Sequence, residues 1–229
     1  LVPRDIALNA RRAINHHLGS AGLDPEKLSV FAQQSYCPEI RQTPPIGDLY
    51  NNAPVQAVIE KLFGTNYLKP ITGAQIALRF PMEPGKPPRE KLGYHIDGIP
   101  NGQNGVPLGE VHNFAALMGV ILNDQPTPDR GNFTVWPGSH LKMAAHFREH
   151  GYANLAETGT PRIVDEADAV QITGEPGDVV IAHHLLAHGI ASNASPDIRY
   201  NCFIRLWPAH RDHYSADALV DPWHEWQIG

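Results

Sequence analysis

Near residue 72 the spacing of apolar side chains changes from three or four residues to two, and that change limits the possible folds more than any other feature of the chain. Before it, three amphipathic helices are legible. Residues 3–19 place Ile6, Ala10, Ala13, Ile14, His17 and Leu18 on one face, with Pro3 near the start and Gly19 as the stop. Asp24-Pro25-Glu26 supplies a cap, a first-turn proline and an acid for a second helix with Leu28, Phe31 and Ala32 inward. Pro54 opens a third, with Val55, Val58, Ile59, Leu62 and Phe63 apolar and Gly64 at its end. After the change, Gln75, Ala77 and Arg79 share one face of a strand and Ile76, Leu78 and Phe80 the other. A further strand carries His95, and Phe114 to Leu122 reads as a strand buried on both sides. Phe133 to Trp136 is a short strand, after which Ser139 caps a helix running to His150. More strands are expected near 169–172, 178–182 and 199–207, with a mobile segment at 152–167.

The 20 glycines and 21 prolines among 229 residues suit many short strands joined by turns. These features together predict a mainly β fold with N-terminal helices: a double-stranded β-helix, or jelly-roll, barrel in a single domain. The helical part spans 1–66, the jelly-roll core about 67–207 and a packed C-terminal tail 208–229.

Composition narrows the function. Eighteen Lys and Arg against 24 Asp and Glu leave a net charge of −6 with no basic run, which argues against nucleic acid or an anionic membrane as the main partner. No apolar run approaches the roughly 18 residues of a membrane span. Cys37 and Cys202 stand alone and read as reduced thiols of a cytoplasmic protein. There is no Gly-x-Ser-x-Gly turn and no phosphate-binding glycine loop.

What chemistry remains lies in two stretches. In Gly93-Tyr94-His95-Ile96-Asp97-Gly98, strand alternation projects His95 and Asp97 together while Tyr94 and Ile96 face away. In Gly177 to Arg199, His188 is followed eleven residues later by Arg199. Two imidazoles and one carboxylate make a facial triad for non-haem Fe(II), leaving three adjacent positions for a chelating 2-oxo acid and O2. A hairpin turning near Asn193-Ala194 would set His188 directly opposite Arg199, whose planar fork suits the far carboxylate of 2-oxoglutarate. On that strand Arg199, Asn201, Phe203 and Arg205 share the inward face, and Tyr200, Cys202, Ile204 and Leu206 the outward one. Gln75 and Arg79 face the right way to join the cosubstrate shell. His183, Trp136, Phe203 and Arg205 are candidates for the ligand-supporting layer or the substrate pocket, with core packing as the plain alternative for the first three. The proline-rich loop 81–92 is expected to border that pocket.

The chain resembles the phytanoyl-CoA dioxygenase (PhyH-like) family of Fe(II)/2-oxoglutarate-dependent oxygenases. The matching pieces are His95-Ile96-Asp97, the run Gly131 to His140, and Gly177-Asp178 through His188, Asn193, Ser195 and Arg199, within residues 70–207. The resemblance implies iron at His95, Asp97 and His188, and 2-oxoglutarate at Arg199. It also implies hydroxylation of a small-molecule metabolite by O2, with release of succinate and CO2. Two positions depart from the family's pattern: Ile190 where a hydroxyl residue often helps hold 2-oxoglutarate, and Val120 where some members have a cosubstrate-lining tryptophan. Asp97 is kept, unlike in the halogenases of this scaffold. Two other readings stand beside this one: a cupin-type metal enzyme without 2-oxoglutarate, disfavoured by the aspartate of His95-Ile96-Asp97, and a module that binds metal and 2-oxoglutarate without turnover.

Overall fold

A computed structural model describes residues 1–227. The first helix, α1 (Arg4–Ala21), buries Ala7, Ala10 and Ile14. Gly19 stays within it, and Gly22 ends it with its φ of 72°. Asp24 caps a 3-10 turn (Pro25–Lys27) by accepting from the Glu26 N–H, and α2 (Leu28–Gln33) follows. This helix is not a core element: Leu28 and Ala32 are exposed, and only Phe31 is partly covered. A single turn, α3 (Pro44–Gly47), precedes α4 (Ala53–Phe63), which is capped by Asn52 and buries Val55, Ile59 and Phe63. Each such fully buried side chain contributes about 1.5–3 kcal/mol of hydrophobic stabilisation.

Among the described residues seven strands form two sheets. They are β1 (Gln75–Arg79), β2 (Ala116–Ile121), β3 (Phe133–Val135), β4 (Val170–Gln171), β5 (Val179–His183), β6 (His188–Ile190) and β7 (Arg199–Leu206). One sheet has the order β1-β7-β2-β5 and the other β4-β3-β6, with antiparallel pairing throughout. The helices cover the outer face of the larger sheet, where Ile76, Met118, Val120, Tyr200 and Cys202 pack with Ile14, Tyr50 and Phe63. Phe114, Leu117, Phe133, Val135 and Phe203 fill the space between the sheets. On the far side α5 (Ser139–His150) packs Met143, Ala144 and Phe147 against Tyr94, Ile96 and Trp136. The result is the expected jelly-roll in one domain. Among the described residues no helix is long and apolar enough to cross a membrane.

Three further local expectations fail. His188 and Arg199 are not hairpin partners: β6 lies in the smaller sheet and β7 in the larger, so the chain crosses between sheets at residues 191–198. The cross-strand partner of Arg199 is Arg79, and that of His188 is Val135. Ser139 does not cap α5. Gly138 holds that position with a φ of 78°, and the buried Ser139 hydroxyl instead accepts from the Ala187 N–H at 2.9 Å. Residues 152–167 are pinned rather than loose, with a helical turn α6 (Leu155–Thr158) and Leu155 and Val164 buried. The last described helix, α7 (Ala216–Val220), belongs to a packed tail, in which Arg211 pairs with Glu225 and donates to the Asn113 carbonyl of the barrel. Residues 228–229 of that tail lie outside the described residues.

Candidate active site

His95 does not sit in a strand. It forms an isolated bridge with His188, in which each residue donates its N–H to the other's carbonyl at 2.9 Å. This reciprocal antiparallel pair brings together two imidazoles that are far apart in sequence. Close approach is possible because Gly189 has no side chain: a Cβ there would come within 2.5 Å of the Gly93 carbonyl oxygen. On the other flank, Ile96 N–H donates to the Thr160 hydroxyl at 3.0 Å and Arg162 donates to the Tyr94 carbonyl at 2.8 Å. The 152–167 segment therefore fixes the ligand-bearing stretch from outside; Tyr94 faces away from the cavity as expected, whereas Ile96 packs beside it and also borders the cavity.

One oxygen of Asp97, Oδ1, lies 3.5 Å from Nε2 of His95 and 3.7 Å from Nε2 of His188. One donor atom from each of the three residues falls within 4.8 Å of the other two, the one such cluster among the described residues. Adjacent ligands of a six-coordinate ion with bonds of about 2.1 Å stand about 3 Å apart, and the two carboxylate–imidazole distances exceed that by under an ångström. The other carboxylate oxygen, Oδ2, accepts from Nε of Arg205 at 3.2 Å. Burial opposes ionisation of Asp97, but Arg205 and the two imidazoles hold its carboxyl well below the usual range. His188 Nδ1 lies 2.9 Å from the Leu186 carbonyl, which can only accept, so the proton sits on Nδ1 and Nε2 keeps its lone pair. Burial, followed by the His95 ring, pushes His188 down to about 4, so it is neutral as a metal ligand must be. The His95 ring is half exposed, which leaves that side of the cluster open.

Arg199 is 1 % exposed and has no carboxylate partner among the described residues. Its Nε donates to the Gly131 carbonyl at 2.8 Å and its Nη1 to the Ala77 carbonyl at 3.2 Å, while the buried Nη2 has no partner. Burial and the neighbouring Arg79 lower it to about 10, so it stays charged at neutral pH. A buried guanidinium oriented by carbonyls and left with an unmatched donor fits an anion site. These residues thus fit the groups expected of them: a ligand set for a divalent transition ion, and a cationic end for a dicarboxylate.

The cluster opens into a cavity of about 420 Å³. Gln75, Arg79, Phe203 and Arg205 line it, as expected from strand alternation, whereas Arg199 does not. Ile190 also reaches it. The remaining candidates do not. Trp136 is fully buried on the outer face of the smaller sheet against Tyr94, because Phe133 and Val135 take the inward positions of β3. His183 is buried under the tail, with Nε2 against the Pro222 carbonyl at 2.6 Å and Nδ1 accepting from Leu185 N–H at 3.0 Å. Val120 faces the helices, so Leu117 is the β2 residue on the cavity. The 81–92 loop lines a neighbouring pocket with Arg79 and Asn193. Tyr36 was not anticipated. It reaches the cavity from the loop after α2, which bridges to Ile76 at the edge of β1 and carries no periodic signal.

Residues 107–201 match the family model described as Phytanoyl-CoA dioxygenase (PhyH), a stretch that holds His188 and Arg199 but starts after Asp97. Among solved structures, the non-heme monooxygenase ThoJ in its apo form superposes with a TM-score of 0.60 at 17% identity, over 90% of this chain and 71% of that one. EctD from S. alaskensis, with 2-oxoglutarate and 5-hydroxyectoine, gives 0.54 at 19% identity, over 100% and 78%. HygX from Streptomyces hygroscopicus, with nickel and 2-oxoglutarate, gives 0.53 at 15%, over 91% and 81%. At these identities the likeness is one of fold. No curated protein matches the chain.

Proposed function

We propose that this chain, whose residues 107–201 match the phytanoyl-CoA dioxygenase family model and whose fold is shared with ThoJ and EctD, is a non-haem Fe(II)/2-oxoglutarate-dependent dioxygenase that hydroxylates a small-molecule metabolite. The observation that carries this reading is the meeting of His95, Asp97 and His188 in one cavity, backed by a buried arginine with an unmatched donor. Held by these residues, Fe(II) and 2-oxoglutarate would supply the chemistry by which O2 replaces C–H by C–OH, with succinate and CO2 as coproducts.

The chain's own residues have separable tasks. His95, Asp97 and His188 hold the metal from one side and leave the cavity side open. Arg205 holds Oδ2 of Asp97, so that Oδ1 alone faces the imidazoles. Leu186 fixes the tautomer of His188. Arg199, with Arg79 beside it on the cavity wall, takes the distal carboxylate. Leu117, Phe133 and Phe203 form the apolar wall that excludes water around the reacting C–H bond. In this reading residues 1–66 brace the larger sheet, about 67–207 form the catalytic barrel, and the tail from 208 closes its end. The free thiols Cys37 and Cys202 suit the reducing cytoplasm.

The test is succinate formation with matched O2 uptake, dependent on both Fe(II) and 2-oxoglutarate and stimulated by a member of a metabolite library. A metal-dependent product formed without 2-oxoglutarate points to cupin-type chemistry instead. Cosubstrate binding with no turnover across the library points to a binding module.

A further inference from the structure

A second groove of about 400 Å³ adjoins the metal cavity and shares Gln33, Gln75, Asn104, Leu117, Phe203 and Arg205 with it. The shared middle is partly apolar, and the outer end carries Arg41 and Lys69. Both bases sit on anchored backbone. Ala74 N–H donates to the Arg41 carbonyl at 3.1 Å and Lys69 N–H to the Trp207 carbonyl at 2.7 Å. Gly73 lets the two segments touch, since a Cβ there would lie 2.6 Å from the Arg41 carbonyl oxygen. Neither side chain makes an ion pair among the described residues, although Arg4, Lys27, Lys86, Arg130 and Arg211 all do.

The charge along this path runs against that of the whole molecule. The chain has more acids than bases, with a net charge of −6. Yet the two connected cavities are lined by Arg41, Lys69, Arg79 and Arg205 against one carboxylate, Asp97. Asp97 is committed to the metal cluster and to Arg205. With Fe(II) and dianionic 2-oxoglutarate in place, the positive charges of the walls are still not balanced, and the surplus lies at the outer end, away from Arg199.

We propose that the primary substrate is an anion whose carboxylate or phosphate docks on Arg41 and Lys69, with an apolar mid-section against Leu117 and Phe203 that presents its C–H bond to the metal cluster. This deepens the oxygenase reading and rests on it. A cationic substrate is disfavoured by the same walls, because no acid in them is left to receive it.

The test uses chain-matched probes, octanoate, octyl phosphate, octanamide and octylamine. They are titrated calorimetrically into protein saturated with Zn(II) and 2-oxoglutarate, in which no turnover occurs. The anions are expected to bind about tenfold or more tightly than the amide, with octylamine weakest and the preference reduced by salt. The R41Q/K69Q double variant is expected to lose that preference while binding 2-oxoglutarate as the wild type does. Whichever anion binds better identifies the head group. Equal binding of amide and anions, tighter binding of the amine, unchanged anion binding in the double variant, or no binding of either anion overturns the proposal. Loss of 2-oxoglutarate binding by the wild type would instead overturn the oxygenase reading, and the probe series still reads the groove.

Discussion

Arg79 and Arg199 stand directly opposite each other on neighbouring antiparallel strands, two guanidinium side chains on the inner face of the larger sheet. Neither has a carboxylate partner among the described residues. Like charges directly across a ladder destabilise a sheet by roughly 0.2–1 kcal/mol. Such an arrangement is stable only alongside compensation elsewhere, and a bound dicarboxylate relieves it. Arg79→Gln should therefore raise the melting temperature of the ligand-free protein slightly and shrink the further rise on adding 2-oxoglutarate. Arg199→Lys keeps the charge but loses the fork, and 2-oxoglutarate binding should weaken by about tenfold to a hundredfold, the worth of a charge-assisted hydrogen bond. Calorimetry on metal-loaded protein checks both, and an unchanged affinity in Arg199→Lys would remove this residue from the cosubstrate site.

Arg205 decides which oxygen of Asp97 faces the imidazoles, since its Nε lies 3.2 Å from Oδ2. Groups that orient a metal ligand are typically worth 10–100-fold in metal affinity, so Arg205→Gln should weaken Co(II) binding by about that factor. The Co(II) absorption spectrum should also shift as Asp97 becomes free to turn. A variant with wild-type affinity and spectrum would assign Arg205 to the substrate alone.

Ser139 links α5 to the ligand strand. Ser139→Ala strands a buried Ala187 N–H, which costs about 1–3 kcal/mol. Hydrogen exchange should quicken at Ala187 and His188 but not at the first turn of α5, where the hydroxyl makes no cap. Faster exchange confined to that turn would restore a capping role.

Part of the pH dependence of stability follows from His183, which burial pushes down to about 4 from an ordinary 6.5. The unfolded chain takes up a proton as pH falls below 6.5, and the folded one does so only near 4. Its contribution is therefore fully present above pH 6.5 and is lost as pH falls towards 4, by at most about 3 kcal/mol. His183→Gln should flatten the drop in urea midpoint between pH 7 and pH 4.5. A drop as steep as in the wild type would place the acid sensitivity elsewhere.

The inward faces of β1 and β7 were legible because period-two alternation depends only on local geometry. Gln75, Arg79, Phe203 and Arg205 accordingly line the cavity. The same rule, applied to β3, puts Phe133 and Val135 inside and Trp136 outside, so aromatic size was a poorer guide to Trp136 than strand parity. The pairing of His188 was not legible. An eleven-residue spacing suits a hairpin, but in a jelly-roll consecutive strands can belong to opposite sheets, and His188 pairs with Val135 on one side and His95 on the other. Tyr36, Arg41 and Lys69 reach the cavities from irregular segments. Their position is set by long-range backbone hydrogen bonds that leave no periodic trace.

The most direct measurement is the visible spectrum of the protein under anaerobic conditions as Fe(II) and then 2-oxoglutarate are added. Chelation of the metal by the 2-oxo acid on His95, Asp97 and His188 predicts a weak charge-transfer band that appears only with both present and is lost in His188→Ala. A wild-type protein that binds Fe(II) but shows no band, or a band that persists unchanged without His188, would contradict the account.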